Sequence, residues 1–177
     1  MQLRTSARLL SAVGALTLAA TLTSCGFDYA TDRVYTPGTG SNARDAEVDV
    51  LGAVVVSAVD GSGTLVTSFS NNDGANQGTV QAISGAGDVP VTVGAFEPIT
   101  IAPGGLVSLA DDGGIELEGD FGPGGYLTLA IDLGDDGSVT VPVPVVAPCN
   151  EFEGLDVTGD GSLDYDCDVE SDEPAAH

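Results

Sequence analysis

From Val48 to Val145 the chain is cut by Gly, Asp, Asn and Pro into β-type segments so short and so closely spaced that no helix of useful length fits between them. A Val-rich run, Val48–Ala58, comes first. Leu65, Thr67 and Phe69 then alternate with Thr64, Val66 and Ser68, a period of two that sends successive side chains to opposite faces of a strand. Thr79–Ile83, Val89–Val93, Ile99–Ile101, Leu106–Leu109, Ile115–Glu118, Tyr126–Leu133 and Val139–Val145 follow in the same manner, with several turns marked by Gly-Gly or Asp-Gly. The pattern predicts an all-β chain, a β-sandwich of about 7–9 strands rather than a barrel or a repeat array. Pro142 and Pro144 lack the donor that a ladder needs and, being two apart, point the same way, so the last strand is expected at a sheet edge.

Charge narrows the function classes. The chain of 177 residues carries 27 Asp and Glu against 4 Lys and Arg, all four of them arginine, for a net charge of -23. Phosphate backbones need cationic partners, so nucleic acid is excluded as a ligand class. Hydrophobic residues make up 42% and charged residues only 18%, which leaves enough apolar side chain to fill a core despite the acid excess. Catalysis finds little support. The one His is the terminal His177, no Gly-x-Ser-x-Gly elbow occurs, and the Gly-rich stretches have neither a Lys nor a following helix. Acid pairs such as Asp111 with Asp112, Glu116 with Glu118 and Asp135 with Asp136 read as turn or solvent-face residues, and there is no Trp to offer a sugar platform. The expectation is a protein that is not an enzyme.

The first 24 residues contain no acid, carry Arg4 and Arg8, and continue into the apolar run Leu9–Leu22. This is the layout of a signal peptide, and the run is shorter than the roughly 20 residues a helix needs to cross a bilayer. It ends in Leu22-Thr23-Ser24-Cys25, which resembles a bacterial lipobox. That resemblance implies cleavage before Cys25 and lipid attachment to its thiol. The expected organisation is a lipoprotein signal peptide over 1–24, a flexible tether rich in turn formers over 25–44, a β-sandwich domain over 45–147 and an acidic, disulfide-bearing tail over 148–177. The chain is then expected at the cell membrane, anchored through lipid on Cys25 at the extracytoplasmic face, with an envelope protein as its further partner.

With Cys25 lipidated, Cys149 and Cys167 are left as a pair, and an even remainder in an exported chain predicts a disulfide, with two free thiols as the alternative. The tail from Cys149 onward holds ten acids and no Lys or Arg. Within it, Asp156, Thr158, Asp160, Ser162 and Asp164 place oxygen-bearing side chains at alternate positions around Gly161, and this resembles a calcium loop of the EF-hand or dockerin kind. Calcium is thus the one candidate metal of the tail. Cys167 stands where a bidentate Glu normally closes such a shell, and a solvated acidic tail pinned by the disulfide is the other reading.

Read in order, Thr67-Ser68-Phe69-Ser70-Asn71-Asn72, Ile101-Ala102-Pro103-Gly104-Gly105-Leu106-Val107-Ser108-Leu109 and Gly137-Ser138-Val139-Thr140-Val141-Pro142-Val143-Pro144-Val145 resemble the PCu(A)C-type periplasmic copper chaperones over roughly Ala46–Val145. The resemblance implies a cupredoxin-like, Ig-like β-sandwich. It also implies Cu(I) held by Met thioethers and His imidazoles, soft ligands for a soft ion. Those ligands are missing: Met1 belongs to the signal peptide, His177 is terminal, and Val66, Glu116 and Leu117 fill positions where ligands are expected. The fold is therefore expected without copper, in a ligand-poor lipoprotein of actinobacterial type that acts by binding or by structural presence. The alternative is metal handling, by a divergent copper carrier or by a calcium-dependent module in the tail.

Overall fold

A computed structural model describes residues 38–158 together with Tyr165 and Cys167. Cys25, the signal segment and most of the tether lie outside the described residues, as do Asp160, Ser162 and Asp164.

The described residues form eleven strands: β1 (Ser41–Ala43), β2 (Val48–Val56), β3 (Ser62–Asn71), β4 (Gly78–Val80), β5 (Ala82–Gly85), β6 (Val91–Val93), β7 (Ile99–Ile101), β8 (Leu106–Ser108), β9 (Ile115–Gly119), β10 (Tyr126–Asp132) and β11 (Ser138–Val146). Short 3₁₀ turns at Gly134–Asp136 and Asn150–Phe152 complete the regular structure among the described residues. β1 begins inside the stretch read as tether. Each of the other strands falls within or beside a segment picked out by period-two reading. The expected Thr79–Ile83 segment is divided at Gln81: β4 pairs with β7 in a two-stranded sheet, while β5 pairs with β10 in the main one.

The main sheet runs in the order β5-β10-β11-β2-β3-β9-β6, with β1 also on β2 and β8 also on β3. It rolls until its two ends meet, so that a Cβ on Gly85 of β5 would stand 3.2 Å from that of Val91 on β6. The sandwich is thus one continuous sheet, nearly a barrel, folded around a single apolar interior. Phe69, Leu65, Leu117, Leu127, Leu129 and Ile131 fill that interior and are fully or almost fully buried. Each such side chain contributes about 1.5–3 kcal/mol by leaving water. Alternation is clear in β10, where Leu127, Leu129 and Ile131 are buried between more exposed neighbours.

Two local features shape the sheet. β2 carries a bulge, because Leu51 pairs with Ser68 and Val54 with Val66, leaving Gly52 and Ala53 opposite Thr67 alone. Gly52 takes the left-handed conformation the bulge requires, at φ +62°, and its N–H donates 2.9 Å to Asn42 Oδ1. The second feature corrects an expectation. β11 is not an edge strand, since it lies between β10 and β2. It meets β2 in parallel only at Val145↔Val55 and Val146↔Val56, whereas it pairs with β10 from Ser138 to Pro144. Val145 exchanges backbone hydrogen bonds toward β10, while the Val146 carbonyl accepts the Ser57 N–H on the β2 side. Pro142 and Pro144 share the parity of Val146. Their missing donors therefore face the β2 side, along the part of β11 that has no ladder partner there.

Candidate functional site

Strand pairing brings two of the three positions singled out by the resemblance, Val66 and Glu116, onto one face. Val54 pairs with Val66, Val56 with Thr64, Thr64 with Glu116 and Ser62 with Glu118, so all of them point away from the main interior on the outer side of β2, β3 and β9. Leu117 has the opposite parity and is fully buried in the interior. Val66 is packed against Val54 and Val56, and Glu116 and Glu118 are exposed. None of the three expected ligand positions offers a soft donor: one is a packed valine, one an exposed carboxylate and one a core leucine. The sulfur atoms among the described residues are joined in the Cys149–Cys167 disulfide, whose Cα atoms are 5.8 Å apart. No group of three or more His, Cys, Asp or Glu side chains among the described residues is arranged to hold a metal ion. The donor set does not fit Cu(I).

What occupies this face is the chain's own tail. Val54, Val56 and Val66 form a second, small apolar cluster, and Val146, Phe152 and Leu155 pack onto it. The backbone bonds of this strap are local, from Phe152 N–H to Cys149 O, Glu153 N–H to Asn150 O and Leu155 N–H to Phe152 O. Its polar attachment is Asp156. One carboxylate oxygen accepts the Ala58 N–H at 2.7 Å, and the other accepts the Thr64 hydroxyl at 3.1 Å, the Thr158 N–H at 3.0 Å and the Thr158 hydroxyl at 2.7 Å. Val157 N–H donates 2.8 Å to Thr64 Oγ1, and the Thr158 hydroxyl lies 3.3 Å from that of Ser62. Of the five residues read as a calcium loop, Asp156 and Thr158 are thus brought together, and both are engaged with the β2–β3 hairpin. Sequence reading missed this use of Asp156. The only local signal was the Asp-x-Thr spacing that favours side-chain to backbone bonds.

A concavity of about 260 Å³ opens beside β4 and is lined among others by Glu47, Asp73, Asn76, Asp135 and Asp136. Asp73 belongs to an Asx-type turn. Its carboxylate accepts the Ala75 N–H at 2.7 Å, the Asn76 side-chain amide at 2.7 Å and the Asn76 N–H at 3.1 Å. These bonds, led by that from Ala75, hold its pKa below the ordinary Asp value. The neighbouring Asn71 is buried. It donates to the carbonyls of Asn76, Ile101 and Ala102 and accepts the Asp73 N–H, tying β3 to the 72–77 loop and to the end of β7. The paired Asn of the sequence motif is therefore a framework element.

The chain has a PCuAC-type fold, as its likeness to solved structures shows. Among solved structures the chain is similar to the apo PCuAC domain from PmoF1, with a TM-score of 0.50 and 14% identity over 60% of this chain and 99% of that one. It is similar in the same degree to the copper-bound PCuAC domain from PmoF2, with a TM-score of 0.50 and 16% identity over 60% of this chain and 98% of that one. No protein-family model and no curated protein sequence matches the chain. The fold expected from the residues is the fold found. At this identity the likeness speaks for architecture.

Proposed function

We propose that this protein is a membrane-anchored, extracytoplasmic lipoprotein whose PCuAC-type domain acts without catalysis and without copper, as a binding or structural module of the cell envelope. The observation that carries the reading is the pairing of that fold with a donor set empty of thioether, imidazole and free thiolate on the face where ligands are expected. The neighbours in fold are copper-binding domains rather than enzymes, and no His stands in the body to serve as a general base, both of which favour a non-enzymatic role. Anchoring rests on the Leu22-Thr23-Ser24-Cys25 sequence. No helix among the described residues is long and apolar enough to cross a membrane, so the lipid on Cys25 is the proposed membrane contact.

A calcium-handling role for the tail is the weaker reading, because Asp156 already accepts four hydrogen bonds from the sandwich and its own turn. Two experiments test the main one. Cells treated with globomycin are expected to accumulate the uncleaved, lipid-modified precursor; a chain that is still cleaved and released would refute the anchor. Titration of the purified protein with Cu(I) against a competing chelator is expected to leave the chelator loaded. Stoichiometric transfer of copper to the protein would refute the copper-free reading.

A further inference from the structure

We propose that the Cys149–Cys167 disulfide is a redox latch that keeps the 150–158 strap closed over the outer face of β2 and β3, and that its reduction lets the strap leave while the sandwich stays folded. Three observations carry this. The ladder of β11 ends at Val146, and no backbone-to-backbone bond ties residues 150–158 to the body; their backbone bonds are turns within the strap. The strap docks instead through the side chains of Phe152 and Leu155 and through the Asp156, Val157 and Thr158 contacts to Ala58, Thr64 and Ser62. A segment held by so few contacts opens separately from a continuous sheet. The disulfide brackets that segment, with Cys149 before it and Cys167 after it, so the cross-link restricts the open ensemble and favours the docked one.

The latch is also within reach of a reductant, because Cys167 is exposed. A dithiol attacks Cys167 Sγ through its first thiolate, the S–S bond breaks, and Cys149 departs as a thiolate and takes up a proton. The second thiolate of the reductant then closes on the mixed disulfide and frees Cys167 as a thiol. Two electrons pass to the protein, and the reductant ends as its own disulfide. The consequence for the surface is the uncovering of Val54 and Val56, now almost fully buried, and of Val66, at 9% exposure. Apolar strips of this kind, absent from the closed molecule, are what a redox-controlled contact needs.

Hydrogen exchange on the full chain, before and after dithiothreitol, tests the latch. The amides of Ala58 and Val157, which donate to Asp156 and Thr64, are expected to exchange about tenfold or more faster after reduction. The β10–β11 amides such as Leu129 and Val141 keep their rates. Reoxidation restores the slow rates, and the Cys149→Ser, Cys167→Ser double variant matches the reduced protein. Unchanged exchange at Ala58 and Val157 after reduction confirmed by mass would overturn the proposal. So would loss of protection throughout the sheet, since the cross-link would then support the whole fold rather than the strap.

Discussion

Asn71 and Asp73 show how single polar side chains in this chain secure backbone rather than chemistry. Asn71 is 3% exposed and its amide serves carbonyls at Asn76, Ile101 and Ala102. Asn71→Ala leaves those acceptors without a donor in a buried setting, at about 1–3 kcal/mol for each group that water cannot reach. We expect a loss of about 2 kcal/mol in chemical denaturation; a loss under about 0.5 kcal/mol would mean that water replaces the amide. Asp73 makes a second prediction, from a half-exposed position. Its carboxylate is stabilised by the Ala75 N–H first and by Asn76 next, so its folded pKa lies below the value of about 3.9 in the unfolded chain. The contribution of this turn to stability is therefore full above pH 4 and disappears as pH falls through the depressed folded value. An NMR titration should find the Asp73 carboxyl group below the ordinary range, and Asn76→Ala should move it upward. An unmoved pKa would put the effect on the backbone N–H groups of residues 75 and 76.

At the scale of elements, strand identity was legible wherever a segment faced water on one side, since period two is written by that asymmetry. β10 and β9 are of this kind. The division of β4 from β5 was not read from the residues, which gave Thr79–Ile83 as one segment: Val80 and Ile83 are both buried yet three apart, so alternation breaks at Gln81, where the chain changes sheets. The place of β11 was not legible. A proline pair reports which donors are missing, but it does not report that the strand's last two residues reach across to β2. The bulge in β2 was hidden for a similar reason, because Gly52 inside a Val-rich run looks like an ordinary strand glycine until its partner strand is known. Its energetics are testable in isolation. A Cβ at Gly52 meets nothing within 4 Å, so Gly52→Ala carries the conformational cost alone. That cost is about 1–2 kcal/mol for an L-residue in the left-handed region. We expect thermal denaturation to register a loss of that order, whereas no loss would mean that the bulge relaxes and the register of β2 against β3 shifts.

The whole molecule joins a fold that residues announce to a surface that they announce only in part. The sandwich was readable because its strands and turns are local signals, while the strap was not, since Phe152, Leu155 and Asp156 acquire their roles from β2 and β3 some ninety residues earlier in the chain. An acidic segment after a β domain reads naturally as a solvated tail, and what redirects it is three valines on the outer face of the sheet. Charge is the property that acts on this scale as a whole. The net charge is -23, and among the described residues the only ion pair is Arg44 with Asp49 at 4.0 Å, on an exposed arginine. Like charges so little offset repel across the compact state and are relieved when it unfolds. The Debye length falls from about 30 Å at 0.01 M salt to about 8 Å at 0.15 M, so added salt removes the repulsion between acids on opposite sides of the domain. We therefore expect the melting temperature to rise between these concentrations, by about 3 °C for each kcal/mol of repulsion relieved in a chain of this size. Because screening depends on ionic strength and not on the identity of the cation, sodium chloride and choline chloride should give the same rise. A flat response would show that the carboxylates are too well solvated to strain the fold, and a rise confined to one cation would identify binding of that ion in place of screening.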